Sequence, residues 1–348
     1  MAGEERILIG RRLPYDLKFN TLGEDELRAF LFKLNDKIKI GISSCLIGND
    51  VRYDGDNKLD RYLRDMLGQF VEWVPVCSEV EAGLSVPREA MHLVGDPTTP
   101  RLVTIFTGVD HGDRMAEWAK KKLLHLEKAG ICGFVFKARS PSCGLEDVKI
   151  YSRSGTKHRK GAGIFAKAFM DHFPSIPVED EEGMRNAAIK ENFFERMFVY
   201  HRWREFKTQD GTVEGLMRFH DSHKLLIMSH CIRHLRELGA IVNGTKRKRA
   251  VLFGRYEQVL VACMRFPGTV KKHTIVLQHL AGYFKKQLIH EDKKELQEVI
   301  LRYHRGLVPL IIPVTLIRYY ASKYDLPDLK QQYYLNPHPI ELMLKNHV

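Results

Sequence analysis

Between residues 37 and 180, short apolar runs alternate with amphipathic stretches; after about residue 190 the apolar positions take up helical spacing. KIKIGIS (37–43), VEWVPV (71–76), LVTIFT (102–107) and ICGFVF (131–136) read as strands, with a short last strand after Pro177. Residues 24–35, 59–70, 111–129 and 163–172 carry the helical pattern, and Gly130 is a C-terminal stop for the third of these. Strands alternating with helices imply an α/β, Rossmann-like unit with a mainly parallel sheet. The strand ends of such a sheet share one edge, where ligands bind.

The pattern then changes. Segments 192–208, 213–239, 251–265, 270–290, 291–304 and 309–322 are helical in period, with no convincing alternating strands. The acidic stretch 179–183 reads as a linker. The expected organisation is an N-terminal extension (1–35), an α/β domain (36–182) and an all-α domain (183–348).

Charge separates the two parts more sharply than periodicity does. Residues 1–200 hold 30 basic and 30 acidic side chains, whereas residues 201–348 hold 25 and 13, so the whole excess of +12 lies in the helical part. A polyanion is the first partner to consider for such a surface. No apolar run approaches the roughly 20 residues of a membrane span. The start lacks a secretory signal's apolar core, so the expected setting is cytoplasmic, with no membrane and no evident protein partner.

Six cysteines in a chain of 348 residues do not form a disulfide framework. Three occupy equivalent places: Cys45 follows the first strand, Cys77 ends the second, and Cys143 lies in the loop after the fourth. In a parallel sheet these loops converge, and three thiolates without a fourth suggest a metal centre with one open position. Inert buried thiols are the alternative from spacing alone. Gly, Pro and Ser crowd around each of the three, as in loops that bring backbone close to a bulky group. Cys132, Cys231 and Cys263 sit inside apolar stretches and read as small buried hydrophobes.

The blocks SxCLxG, RYDG, PVCxEVxxGLxVPR and KxxSPSCG occur in this order through about residues 38–180, and here the chain resembles the TudS-like thiouracil desulfidase family. Ser78 departs from the pattern, which usually has Pro, and is expected to alter loop stiffness more than ligation. The resemblance implies a 4Fe–4S cluster held by Cys45, Cys77 and Cys143, whose open iron takes the sulfur of a thiolated pyrimidine. It implies Glu79 and Ser140 as catalytic residues, and Ser44, Arg88 and Ser142 as substrate-binding ones. A soft thiocarbonyl sulfur suits iron, and coordination would polarise the carbon that water attacks. Zinc is disfavoured, since it usually takes a fourth protein ligand or a His.

In the helical part, ENFFERMFVYHRW and FHDSHKLLIMSH resemble the YbgA-like helical domain. The fused arrangement resembles bacterial tRNA 4-thiouridine desulfidases, which implies tRNA as partner. Lys246, Arg247, Lys248, Arg249, Lys271 and Lys272 are the candidate nucleic-acid contacts. Tyr256, Phe266, Tyr283, Phe284 and Tyr303 interleave with the basic residues and are candidates for base stacking. His223, His230 and His234 share a face, for which core or surface histidines outweigh a metal site. Gly161-Ala162-Gly163 opens a helix after basic residues and offers either a phosphate cradle or a plain solvent loop. The competing functional class is a non-catalytic iron–sulfur RNA-binding sensor.

Overall fold

The computed structural model describes residues 37–152, 158–244 and 248–337. The helix expected at 24–35 lies outside them, as do Lys246 and Arg247. Among the described residues the first part contains eight strands: β1 (Ile38–Ser43), β2 (Val71–Val76), β3 (Met91–Asp96), β4 (Thr99–Thr104), β5 (Phe134–Phe136), β6 (Val148–Tyr151), β7 (His158–Gly161) and β8 (Val178–Asp180). Sheet A, in the order β2-β1-β5-β8, is parallel throughout. In the interior strand β1 the alternation places Ile38, Ile40 and Ile42 on one face, all buried, and Gly41 and Ser43 on the other face are buried too. Gly41 admits the Phe134 ring: a Cβ there would stand 2.1 Å from a ring carbon.

Sheet B, in the order β4-β3-β6-β7, is mixed, with antiparallel β3–β4 and β6–β7 pairs and a parallel β3–β6 pair. The expected third strand, 102–107, is therefore not part of the parallel sheet. It is β4, shifted toward the N-terminus and paired with β3 as a hairpin. Pro100 is tolerated because β4 is an edge strand. The helical reading of 59–70 holds only as a wide π-type turn, Tyr62–Met66, followed by a tighter 3₁₀ turn, Leu67–Gln69. Helix Gly112–Ala129 ends, as expected, at Gly130 in the left-handed conformation (φ 75°).

From residue 187 onward the described elements are helices: Ala187–Gln209, Val213–His230, Ile232–Asn243, Arg249–Met264, Val270–Tyr283, His290–His304, Ile311–Lys323 and Pro327–Lys330. The segment read as one helix over 213–239 is two. Cys231 between them has extended backbone, and buried His230 beside it is held by the Phe266 carbonyl, 2.6 Å from Nδ1.

The described residues from Ile38 onward form one compact unit, and helix Ala187–Gln209 shows why. The Asn186 side chain accepts from the Ala188 and Ile189 amides and starts the helix. Phe193, Phe194 and Met197 then pack into the core under β1 with Ile40 and Ile42. Val199, Trp203 and Phe206, further along the same helix, belong to the core of the helical part. One helix thus serves two cores. Phe194→Ala is expected to cost about 3–5 kcal/mol by removing a fully buried ring from the first core, read as a fall in the urea midpoint.

Candidate active site at the carboxyl edge of sheet A

The register of β1 against β2 ends at Ser43 opposite Val76. The next residues are Ser44-Cys45 on one strand and Cys77 on the other, so strand pairing alone brings two thiols to the same edge. Cys45 lies in the turn Ser44–Ile47, directly after β1. Cys77 opens the short helix Ser78–Glu81, and its amide donates to Glu81 Oε1 at 3.0 Å. Its thiol donates to the Val51 carbonyl at 3.7 Å.

Cys143 comes from the loop after β5. Ser140 Oγ accepts from the amides of Ser142 (3.3 Å) and Cys143 (3.1 Å) and coils this loop. Helix Ile164–His172 fixes it from behind. The amides of Phe165 (2.9 Å) and Ala166 (3.3 Å) donate to the Ser142 carbonyl, and that of Ile164 to the Pro141 carbonyl at 3.2 Å. The phosphate cradle considered for this helix start is thereby excluded: the amides it would use already hold the cysteine loop. Gly163 permits the approach, since a Cβ would lie 2.6 Å from the Ser142 carbonyl carbon and 2.8 Å from the Cys143 nitrogen.

Cys77 raises the pKa of both other thiols, after burial. Burial, then the neighbouring Cys77, pushes the Cys45 pKa up to about 11. Burial pushes Cys143 up to about 12, with Cys77 and Cys45 both adding to the rise. Burial also raises Cys77. Thiols so placed are protonated at neutral pH and gain most from a cation that stabilises their thiolates. Among the described residues no group of three His, Cys, Asp or Glu is arranged to hold a metal ion. The donors at this edge are thiol sulfurs, soft ligands whose chemistry fits an iron–sulfur group rather than a hard cation.

Beside the thiols stands a polar network. Glu79 Oε1 accepts from the Ser142 hydroxyl at 2.6 Å. Glu79 Oε2 accepts from Arg88 Nε at 2.7 Å and lies 2.5 Å from Nη2. Arg88 also donates to the Ser85 and Val51 carbonyls, so its guanidinium faces the protein and holds the Glu79 carboxylate in place. The structure thus gathers Glu79, Arg88 and Ser142 in one network. Ser140 turns its oxygen to the loop backbone. Ser44 accepts from the Asn49 side chain at 2.7 Å. Sequence reasoning missed a third contact: Ser78, fully buried, puts its hydroxyl 3.3 Å from the Cys143 sulfur, so the departure at this position touches a thiol and not only the loop. A hydroxyl replacing proline beside a cysteine block was the available signal.

The helical part answers differently. Lys248, Arg249 and Lys271 are exposed; Arg249 donates to the Gly211 carbonyl, and Lys272 to that of Pro267. Tyr256, Phe284 and Tyr303 are core residues, which removes them as stacking surfaces, while Phe266 and Tyr283 are exposed. All three histidines, His223, His230 and His234, are buried, and two of them hold internal contacts. His223 Nδ1 donates to the Phe219 carbonyl at 2.7 Å, and its Nε2 accepts from Arg202 Nε at 3.0 Å. His230 pairs with buried Glu195 at 3.2 Å.

Comparison with known proteins agrees with this division. Residues 40–181 match the 2-thiouracil desulfurase family, and residues 224–339 match a second family described only as of unknown function. The chain belongs to the 2-thiouracil desulfurase family through its α/β part, followed by a YbgA-like helical part. It is 30% identical over 131 residues to the uncharacterised protein YbbK of Bacillus subtilis, covering 36% of this chain and 85% of that protein. It is 28% identical over 153 residues to the uncharacterised protein YbgA of Escherichia coli, covering 43% of this chain and 90% of that one. The solved structure of the [4Fe-4S]-dependent thiouracil desulfidase TudS is 32% identical, spanning 43% of this chain and 94% of its own, with a TM-score of 0.36.

Two outcomes follow from the geometry. Gly163→Ala should cost about 1–3 kcal/mol, because the added methyl meets backbone rather than a side chain that can swing away; a thermal melt reads it. Metal-free protein should also lose stability as pH rises from about 9 toward 11–12. The thiol pKa values are raised from 9.0 by folding, so the protonated thiols' contribution is complete below the unfolded value and is lost through the folded ones. Cys45→Ser with Cys143→Ser should flatten that part of the melting-temperature profile.

Proposed function

We propose that the chain is a hydrolytic desulfidase that converts 4-thiouridine in tRNA to uridine, and that it also acts on free thiouracils. The observation that supports this reading is the Glu79–Arg88–Ser142 network beside three thiols carried by converging loops at one sheet edge. Cys45, Cys77 and Cys143 would hold a 4Fe–4S cluster. Once bound, that cluster would supply a soft Lewis acid with one coordination position free of protein. The overall change adds water at the C=S carbon, breaks the C–S bond and yields a C=O carbon and hydrosulfide. No electrons are exchanged with a separate donor.

The chain's own residues supply the proton handling. Glu79 takes the proton from the attacking water at a carboxylate oxygen. Arg88 and Ser142 hold that carboxylate in one orientation, and Ser140 sets the loop that presents Cys143. Ser44 lines the same edge and contacts the pyrimidine. The exposed cations Lys248, Arg249 and Lys271, with Lys272 and the neighbouring Lys246 and Arg247, bind the tRNA phosphates. A cytoplasmic setting suits six cysteines that are all free thiols.

The test is sulfide release by anaerobically reconstituted protein from thiouracil and from thiolated tRNA. Brown colour and iron should be lost in Cys45→Ser, Cys77→Ser and Cys143→Ser. Glu79→Gln should keep both but lose turnover by about 10²–10⁴. Iron uptake without sulfide release from either substrate would favour the sensor class instead. Reversing Lys248, Arg249, Lys271 and Lys272 to Glu should weaken tRNA turnover, in a salt-dependent way, and spare thiouracil. Equal effects on both substrates would remove the RNA role of the helical part.

A further inference from the structure

The edge that carries the thiols carries a second pair of charges. Continuing the β1–β5 register from Ile42 opposite Val135 places Lys137 beside Ser44. Continuing the β5–β8 register from Phe136 opposite Asp180 places Glu181 beside Lys137. With Cys77 on the other flank, the edge reads in space as Cys77, Ser44, Lys137 and Glu181, and Cys45 follows Ser44 directly in the turn. Lys137 is tied to both neighbouring loops. Its amide donates to Ser43 Oγ at 2.9 Å, immediately before the Cys45 turn. Its ammonium donates to the Ala138 carbonyl at 2.9 Å and pairs with Glu181 Oε1. Glu181 Oε2 in turn accepts from the Ala138 amide at 2.7 Å, at the root of the Cys143 loop.

Burying an ion pair is a poor way to stabilise a fold, because desolvation cancels most of the attraction. Glu181 is nevertheless 6% exposed. A latch on Ala138 would need only the carboxylate. The ammonium stands at the same edge: Lys137 is one strand from Ser44, its amide is held on Ser43 Oγ just before the Cys45 turn, and the Glu181 carboxylate lies on its far side.

We propose that Lys137 is a positioning residue of the thiol site, the fixed cation that offsets its accumulated negative charge, and that Glu181 sets how much of that charge the site feels. This rests on the cluster reading above and adds to it a determinant of reduction potential and of metal retention. A cation near a cluster favours its more negative, reduced form. Removing it shifts the potential down; removing the carboxylate shifts it up.

The experiment is an anaerobic redox titration of reconstituted full-length protein, with iron loss to a chelator measured in parallel. Lys137→Met should have a more negative midpoint potential and lose iron about tenfold faster or more, as is usual when a group supporting a metal ligand is removed. Lys137→Arg should return both toward wild type. Glu181→Gln should shift the potential in the positive direction. A plain latch would not give opposite signs, since loosening the loop from either partner has the same consequence. Unchanged potential in Lys137→Met, or shifts of the same sign in Lys137→Met and Glu181→Gln, would overturn the proposal. If Lys137→Met fails to load, Glu181→Gln decides: a positive shift supports the proposal, and none or a negative one overturns it. Wild-type protein that takes up no iron would overturn the cluster reading, and this inference with it, before any variant is compared.

Discussion

The parallel register of sheet A is the constraint on which the rest of the site depends. Four strands that all end on one side bring residues far apart in sequence into a single row. Ser43 opposite Val76 fixes the Cys45 turn beside Cys77, and Phe136 opposite Asp180 fixes Lys137 beside Glu181. A slip of one residue in either pairing would turn a site residue toward the opposite face of the sheet. The register is in turn held by burial on both faces, where Phe134, Phe136, Phe165 and Phe169 form a continuous group of rings beneath the Cys143 loop.

That loop has little freedom left. Its amides near Cys143 are taken by Ser140 Oγ, and its carbonyls by the first turn of helix Ile164–His172. Two glycines allow this density. Gly163 lets the helix start touch the loop backbone, and a Cβ on Gly144 would stand 2.4 Å from Val148 and 2.9 Å from the Ser140 carbonyl oxygen. Such rigidity is what a site needs when its reacting groups must be held before the substrate arrives.

The helical part is joined to the site by packing, not by a free linker. Helix Ala187–Gln209 buries Phe194 against the α/β core and Trp203 in the bundle, so the basic helices are carried as a body with the chemical edge. No helix among the described residues is long and apolar enough to cross a membrane, and the charge excess remains the main chemical feature of this part. The buried aromatics and histidines of the same helices serve folding, because the 3.6-residue period that exposes Lys271 also turns His273 and Thr274 inward.

Much of this was legible in the chain. The apolar runs located β1, β2 and β5: β1 carries isoleucine at every second position, edge strand β2 keeps Val71 and Val76 buried, and the interior strand β5 is an unbroken apolar stretch. The cysteine blocks, with their Gly, Pro and Ser neighbours, located the three loops, since a cysteine at a strand's end can be read from periodicity alone. Charge bookkeeping separated the neutral part from the basic part without any geometry. Tertiary structure decided the rest. The β3–β4 hairpin was hidden because an edge strand tolerates Pro100 and needs no strong pattern. The break at Cys231 arises from His230 anchored to Phe266, a contact 36 residues away. The partners of Glu79, namely Arg88 and Ser142, and the contact of Ser78 with Cys143 depend on loops brought together by the sheet. Side-chain pairs between distant loops leave no periodic trace in the sequence, and only the parallel register determines which of them meet.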